Sequence, residues 1–210
     1  MKIETLVLGP VCANCYIVTD DKTNETAVID CGEYTQELES RLEGKKLKYI
    51  MLTHGHYDHI LGVYDLKKNH PEAEIVIHKD EEYKLLDELP SFAHEMMPGV
   101  QKYVPADITV DEGDKIVLGD ITFSVMHTPG HSKGCVCFFA EKERTIFTGD
   151  TLFCLTVGRT DFFDSDEDEM LESITRLYNL EGDYDIYPGH NRATTMEYEK
   201  RRNRYMRRFK

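Results

Sequence analysis

No apolar run in the sequence approaches the roughly 18 residues that a helix needs to cross a bilayer. The opening segment, Met1 to Pro10, is too short and too charged for a signal peptide. Basic residues are also scarce, since 25 Lys and Arg stand against 39 Asp and Glu, which gives a formal net charge of −14. Because phosphate binding relies on basic surface, this balance argues against a general nucleic-acid binder. We therefore expect a soluble, cytoplasmic protein with no membrane or nucleic-acid partner.

The six cysteines stand in a chain with no export signal, so free thiols are expected. Cys12 and Cys15 have the Cys-x-x-Cys spacing that occurs in redox motifs and in half of a zinc site. They lack the strand–helix context of a redox motif, and the sequence holds no second Cys-x-x-Cys. A structural or incidental role is the interpretation that we favour.

The sequence shows no repeat, linker or low-complexity tract, which predicts a single domain over residues 1–210. Short apolar or alternating runs bounded by turn residues predict strands. They fall at residues 2–8, 15–19, 25–30, 47–52, 74–78, 107–110, 115–118, 120–126, 134–140, 144–148 and 184–187. The first three are expected to form an antiparallel meander. Apolar residues at helical spacing predict helices at 34–44, 60–69, 79–86, 192–210 and after the capping-box sequence that begins at Ser165.

Two segments have less regular roles. Residues 87–106 show no period and are punctuated by proline and glycine, which is typical of a lid, a substrate wall or a surface loop tucked onto the core. His94 within them is expected to be incidental. The basic tail, residues 200–210, could form an anion or nucleic-acid patch, but we favour cations that compensate a helix dipole and an acidic body.

The stretch from Thr53 to His59 concentrates groups that coordinate metals. It follows an apolar strand and precedes a helical pattern, so it lies where open α/β sheets place their sites. Neutral imidazole and carboxylate suit zinc, iron and related divalent metals. These groups could serve one crowded metal or be split between two, and a histidine-rich surface loop is the alternative. The candidate ligands are His54, His56, Asp58 and His59.

Three later segments place a similar side chain at the end of a predicted strand. His131 lies in a turn made rigid by proline and glycine, Asp150 stands beside a glycine, and His190 follows a short strand and Pro-Gly. His127 precedes the turn of His131 and is expected to be a supporting or core histidine.

In order and spacing, these residues resemble the ligand series of the metallo-β-lactamase superfamily, over nearly the whole chain. The resemblance implies an α/β (α+β) fold, a four-layer αβ/βα sandwich with two divalent metals at one edge of its sheets. Zinc is the expected metal, with iron or manganese as alternatives. Carried over by position, one metal takes His54, His56 and His131, the other takes Asp58, His59 and His190, and Asp150 bridges them.

Aspartate at the bridging position and the stretch from Gly149 to Phe162 are similar to short glyoxalase II-like proteins (hydroxyacylglutathione hydrolase-like) and to persulfide dioxygenases. Longer glyoxalase II enzymes grip glutathione with a C-terminal helical domain, which we expect this protein to lack, because only 20 residues follow His190. The tyrosine that the long forms carry falls near Asp161. Arg159 is a candidate for binding a substrate carboxylate, with a structural ion pair as its alternative.

The resemblance implies hydrolysis of a small-molecule thioester by a hydroxide that bridges two metals, with Asp58 as the catalytic residue that orients it. A thiolate leaving group, with a pKa of about 8.5, needs no dedicated general acid. One alternative is a persulfide dioxygenase in which a single iron is held by His54, His131 and Asp150. Others are hydrolysis of a lactam, lactone or phosphodiester, and a non-catalytic redox or scaffold protein. The oligomeric state stays open.

Overall fold

The computed structural model describes residues 1–209. The chain divides into two compact units, one made of residues 1–110 and 117–121, the other of residues 111–116 and those from 122 onward. The single domain predicted for residues 1–210 stays a prediction. Within the described residues, no helix combines the length and apolar character that a bilayer span requires.

The first unit is built on a six-stranded mixed sheet in the order β1-β2-β3-β4-β5-β6. Its strands are β1 Lys2–Leu8, β2 Ala13–Thr19, β3 Glu25–Ile29, β4 Lys46–Met51, β5 Glu74–His78 and β6 Ile108–Val110. Strands β1, β2 and β3 pair in antiparallel fashion, which confirms the predicted meander, and β3 to β6 pair in parallel. Because parallel strands end at the same edge, residues that follow β3 and β4 lie next to each other there.

The helices of the first unit cover one face of an apolar core. They are α1 Gln36–Leu42, α2 Tyr57–Ile60, α3 Val63–Asn69 and α4 Ala93–Met96, with a 3-10 turn over Glu82–Leu85. Thr35 caps α1, since its side chain accepts a hydrogen bond from the backbone of Leu38. Leu38 and Leu42 then join the buried cluster, in which each such side chain contributes about 1.5–3 kcal/mol.

Three predictions for this unit are corrected. The helix predicted at 79–86 is a 3-10 turn, whose i, i+3 side chains lie on the same side, and this places Glu81 and Lys84 together in the interior. The helix predicted at 60–69 is two helices separated at Gly62, where a Cβ would come within 2.6 Å of the Cys31 sulfur. The irregular segment 87–106 contains the short helix α4.

The sheet of the second unit has the order β14-β13-β10-β9-β8-β7, and its β7 and the start of β8 run into residues assigned to the first unit. Strands β10 and β13 are parallel neighbours, whereas β8–β9, β9–β10 and β13–β14 are antiparallel. The strands are β7 Lys115–Leu118, β8 Ile121–His127, β9 Val136–Ala140, β10 Thr145–Gly149, β13 Asp185–Pro188 and β14 Thr194–Thr195, with a hairpin of β11 Leu152–Phe153 and β12 Thr156–Val157.

The pairing of β10 with β13 contains a bulge. Phe147 pairs with Tyr187, but the next pair joins Gly149 to Pro188, so Thr148 is an extra residue on β10. Gly149 has a positive φ of 47°, a conformation that glycine adopts without a steric penalty. The bulge bends β10 directly before Asp150.

The second unit carries α5 Glu167–Tyr178, α6 Met196–Arg202 and a 3-10 turn over Met206–Phe209. The cap of α5 is Asp166, which accepts from the backbone of Asp168 and Glu169, and not the predicted Ser165. Of the apolar stripe predicted for this helix, Met170, Ile174 and Leu177 enter the core and Tyr178 packs against it, whereas Leu171 is exposed. The helix predicted at 192–210 is wrong in extent, because β14 precedes α6 and the chain leaves α6 at Asn203; Lys210 lies outside the described residues.

Candidate metal centre

The segment from Thr53 to His59 follows β4 at the carboxyl edge of the first sheet, as predicted. The ring of His54 lies 4.7 Å from that of His56 and 4.2 Å from that of His59, measured between centroids. The four candidate ligands are nearly inaccessible to solvent, which excludes an exposed histidine loop; they are His54, His56, Asp58 and His59.

Asp30 is a buried residue of this region that sequence reasoning missed. It directly follows β3, and the parallel pairing of β3 with β4 brings it beside the start of the histidine segment. Its Oδ1 accepts from the Thr53 N–H and its Oδ2 from the Thr53 hydroxyl, both at 2.8 Å. Its Oδ2 also lies 2.9 Å from Nδ1 of His59. The available signal was an aspartate at a strand end, which also fits an ordinary turn.

These contacts determine which nitrogen carries the proton in two histidines. The Asp30 carboxylate only accepts, so Nδ1 of His59 donates to it. The Thr53 hydroxyl donates to Asp30 and therefore accepts from Nδ1 of His54, at 3.1 Å. In both rings Nε2 is left with its lone pair, which is the arrangement of a histidine ready to bind a metal.

The second unit holds the other three candidate ligands at the ends of its strands. Asp150 follows β10 and His190 follows β13, so the parallel pairing puts both at one edge of the sheet. Nε2 of His190 lies 3.6 Å from Oδ2 of Asp150. Nε2 of His131, in the turn after β8, lies 3.4 Å from the same oxygen. The same carboxylate oxygen of Asp150 therefore lies close to both imidazoles.

The turn of His131 is held in place by the loop and helix that follow it in the fold. Nδ1 of His131 donates to the carbonyl of Arg159 at 2.9 Å, and the Ser165 hydroxyl donates to the carbonyl of His131 at 2.9 Å. Gly130 has a φ of 134°, and a Cβ there would lie 2.4 Å from the Cα of Met170. Glycine is therefore required for α5 to approach the turn.

The spacing of these groups is that of side chains that share an ion. The Nε2–Oδ2 distances are 3.4 Å for His59 with Asp58, 3.4 Å for His131 with Asp150 and 3.6 Å for His190 with Asp150. All exceed the ordinary hydrogen-bond range of about 2.7–3.2 Å. Two atoms that are each about 2.1 Å from one tetrahedral ion are about 3.4 Å apart. The donor chemistry and its spacing fit a divalent metal.

Arg159 forms a two-point ion pair with Asp161, and both side chains are exposed. Its guanidinium also lies 4.5 Å from the centre of the Phe162 ring. This is the structural ion pair that the sequence left open, and a contact with substrate stays a prediction. His127 is partly exposed at the end of β8, and its Nε2 donates to the carbonyl of Lys133 at 2.8 Å.

All six cysteines are free thiols, which confirms the expectation. Burial raises the pKa of Cys15 and Cys31 well above the ordinary value, and raises that of Cys137 to about 11. These groups are therefore protonated at neutral pH and have little nucleophilic or metal-binding character. Cys12 is exposed in the turn before β2, whereas Cys15 is buried within that strand.

The sequence matches the family described as the Metallo-beta-lactamase superfamily over residues 8–190. The chain belongs to this superfamily. It is 34% identical over 210 residues to Hydroxyacylglutathione hydrolase GloC of Haemophilus influenzae, with 98% of each protein covered. Membership of the superfamily supports a metal-binding hydrolase, and this relative confirms the resemblance to short glyoxalase II-like proteins.

Solved structures of the metallo-β-lactamase superfamily support the same fold. The BLEG-1 B3 metallo-beta-lactamase has a TM-score of 0.91 and 30% identity, covering 98% of this chain and 99% of that one. TTHA1623 in a di-iron-bound form has a TM-score of 0.83 and 29% identity, with 96% and 99% covered. The predicted metallo-β-lactamase fold, with two main sheets and their helices, is confirmed.

Proposed function

We propose that this protein is a metal-dependent hydrolase of small-molecule thioesters. The observation that carries the proposal is the set of His–Asp pairs at co-ligand spacing, formed by histidines whose Nδ1 is already bonded to the protein. Identity of 34% to a hydroxyacylglutathione hydrolase supports the thioester as the substrate class.

We assign two divalent ions to the centre, with zinc as the first choice and iron or manganese as alternatives. When bound, such ions polarise a carbonyl and lower the pKa of water to about 7. Asp150 would be the ligand common to both ions, because the imidazoles of His131 and His190 lie near its carboxylate. One ion is assigned to His54, His56 and His131, and the other to Asp58, His59 and His190.

The residues of the chain itself orient the attacking water and the imidazoles, and their burial excludes bulk water. Asp58 is buried beside His59, and we assign to its carboxylate the orientation of the attacking water. Asp30 and the Arg159 carbonyl hold imidazoles in one tautomer, so little reorganisation is required during the reaction. A thiolate of pKa about 8.5 leaves without protonation, so the proposal requires no further acid.

Hydrolysis of a β-lactam is the second candidate, because a B3 metallo-beta-lactamase has a TM-score of 0.91 against this chain. A lactam nitrogen is a more basic leaving group than a thiolate and needs a proton donor. The persulfide dioxygenase reading also stays open, and a relative that holds two irons makes iron a necessary arm of any test.

The test is a substrate screen on protein whose metals have been counted. The protein is reconstituted with Zn²⁺, Fe²⁺ or Mn²⁺ and assayed against S-acyl thioesters, a chromogenic lactam, a phosphodiester and a persulfide with oxygen uptake. We expect two ions per chain and the highest kcat/KM on a thioester.

Asp58→Ala should lower kcat on the preferred thioester by at least about a hundredfold, because the orienting carboxylate is lost. Asp65→Ala is the matched control, since Asp65 is in the same unit but pairs with the exposed Lys102. One iron per chain together with oxygen consumption would contradict the proposal, as would faster turnover of the lactam.

A further inference from the structure

A charged pair lies in the interior of the first unit, directly beside the histidine segment. Nζ of Lys84 is 2.9 Å from Oε2 of Glu81, and both side chains are fully buried. Removing two charges from water is costly, so a buried ion pair is a weak source of stability compared with apolar residues of similar size. Its presence calls for a role other than stabilisation of the core.

The pair contacts the backbone between two candidate ligands. The N–H of Gly55, between His54 and His56, donates to Oε2 of Glu81 at 2.8 Å. A Cβ on Gly55 would lie 2.8 Å from Cβ and 2.9 Å from Cδ of Lys84, so only glycine permits this approach. The Glu81 oxygen that accepts from Gly55 is the one that Lys84 neutralises.

The chain that follows the pair holds the other side of His56. The N–H of Tyr57 donates to the carbonyl of Ser91 at 2.8 Å. The ring of Phe92 meets the imidazole of His56 edge-on, at 5.1 Å between centroids. The backbone N–H groups of Gly55 and Tyr57, the residues on either side of His56, thus both donate to residues of the segment 81–101.

This segment is itself tied back to the ion pair. Ser91 is fully buried and shares a hydrogen bond with Gln101 through their side-chain oxygens. Nε2 of Gln101 donates to the carbonyl of Lys84 at 2.7 Å. The loop at 87–106, whose role the sequence left open, therefore contacts and supports the histidine segment.

We propose that Glu81 and Lys84 are positioning residues that hold His56 in its metal-binding orientation through the Gly55 amide. The inference rests on the proposed function in that His56 must be a ligand. The backbone of Gly55 and of Tyr57, on either side of His56, is held by the segment 81–101, and the Glu81 carboxylate keeps its place because Lys84 neutralises it.

The test compares two variants in which the buried charges are removed together. Glu81→Gln/Lys84→Met keeps a side-chain oxygen that accepts from Gly55, whereas Glu81→Ala/Lys84→Met removes it. Apo protein is titrated with Co²⁺ against a competing chelator, and the visible spectrum reports the coordination. We expect the Gln/Met variant to bind within about threefold of the wild type. The Ala/Met variant should bind about tenfold or more weakly, with an altered spectrum.

Lys102→Met is the matched control, because Lys102 carries the same charge in the same unit but pairs with Asp65 at the surface. It should leave the Co²⁺ affinity unchanged. Equal affinity and identical spectra for the two double variants would overturn the positioning role, even if both unfold at a lower temperature. Absence of Co²⁺ binding by the wild type would overturn the metal centre itself and this inference with it.

Discussion

Asp30 acts on two imidazoles through one carboxylate. It binds His59 directly and His54 through the Thr53 hydroxyl, and it also accepts from the Thr53 backbone. It thereby fixes two candidate ligands before any ion arrives, and we expect it to control metal affinity without touching the metal.

Asp30→Asn should weaken metal binding about 10- to 100-fold, because the amide presents a donor where the protein needs only acceptors. The measurement is a Zn²⁺ titration against a chromophoric chelator. Asp20→Asn is the control, since Asp20 is also buried and accepts from the backbone and hydroxyl of Thr23. An unchanged Zn²⁺ affinity for Asp30→Asn would contradict the role described for Asp30.

The ligand-type residues could be predicted because four of them lie in one short segment and the others follow predicted strands. Asp30 could not, because its role depends on pairing β3 with β4 and on contacts 23 and 29 residues away. The ion pair beside Gly55 could not be predicted either. The sequence predicts a helix at 79–86, but nothing in it shows that Glu81 and Lys84 face the interior, where they pair.

At the scale of elements, α6 is joined to the segments that follow Asp150 and His190 in the second unit. Glu199 is fully buried and accepts from the N–H of Leu155 at 2.8 Å and the hydroxyl of Thr194 at 2.7 Å. Its Oε2 also accepts from Nδ2 of Asn203 at 2.9 Å. Leu155 lies in the hairpin after Asp150. The basic residues predicted for this region lie in the last turn of α6. Through Glu199 the helix also links two other segments of the second unit.

Glu199→Ala should lower the free energy of unfolding by about 2–3 kcal/mol, because it leaves buried donors without their acceptor. Urea denaturation of the apo protein gives the value without interference from metal. Glu197→Ala is the matched control on the same helix, since its ion pair with Arg201 is exposed and contributes about 0.5 kcal/mol or less. Similar decreases in the free energy of unfolding for the two variants would show that Glu199 does not stabilise the fold through these contacts.

The ion pair between Glu4 in β1 and Lys45 after α1 contributes a stability that depends on pH in a known direction. A hydrogen bond from Lys45 lowers the pKa of Glu4 from 4.5 to about 2. A carboxyl group whose pKa is lower in the folded state adds stability above its unfolded pKa, and loses it as the pH falls from about 4.5 towards 2. Glu4→Gln should therefore cost about 1 kcal/mol at pH 7, and progressively less as the pH falls from about 4.5 towards 2.

The measurement for Glu4→Gln is urea denaturation at pH 7, 4 and 2.5. Glu37→Gln serves as the comparison, because Glu37 pairs with Arg41 at the exposed surface of α1. It should alter the profile little. A Glu4→Gln variant whose deficit stays constant across the three pH values would contradict the assignment.

At the scale of the whole molecule, a chain with a net charge of −14 gathers two aspartates among its proposed ligands. Two divalent cations would offset that charge locally. Removal of metal should therefore lower Tm, and free Zn²⁺ at about a thousand times Kd should add about 4 kcal/mol for each site. Calorimetry with chelator and with increasing Zn²⁺ measures this, and a Tm independent of Zn²⁺ would contradict the centre.

Most strands could be predicted because they are short, apolar and separated by clear turn residues, whereas the sandwich fold was predicted from the resemblance of the ligand series to a known superfamily. The errors are the two-residue strands β11, β12 and β14, which were not predicted, and the helices, whose ends depend on contacts from elsewhere in the chain. Asp166 displaces Ser165 as the cap of α5, because the Ser165 hydroxyl is bonded to the carbonyl of His131. Gly62 interrupts a helical pattern, because the chain near Cys31 packs against it.

The extra residue in β10 has a consequence for how this chain tolerates changes in length. Without Thr148 the register of Phe147 with Tyr187 would continue unbroken, and Asp150 would project from the opposite face of its strand. Deleting one residue between Phe147 and Asp150 should therefore abolish function. Natural variants of this protein should differ freely in loop length but keep the distance from β10 to its carboxylate constant.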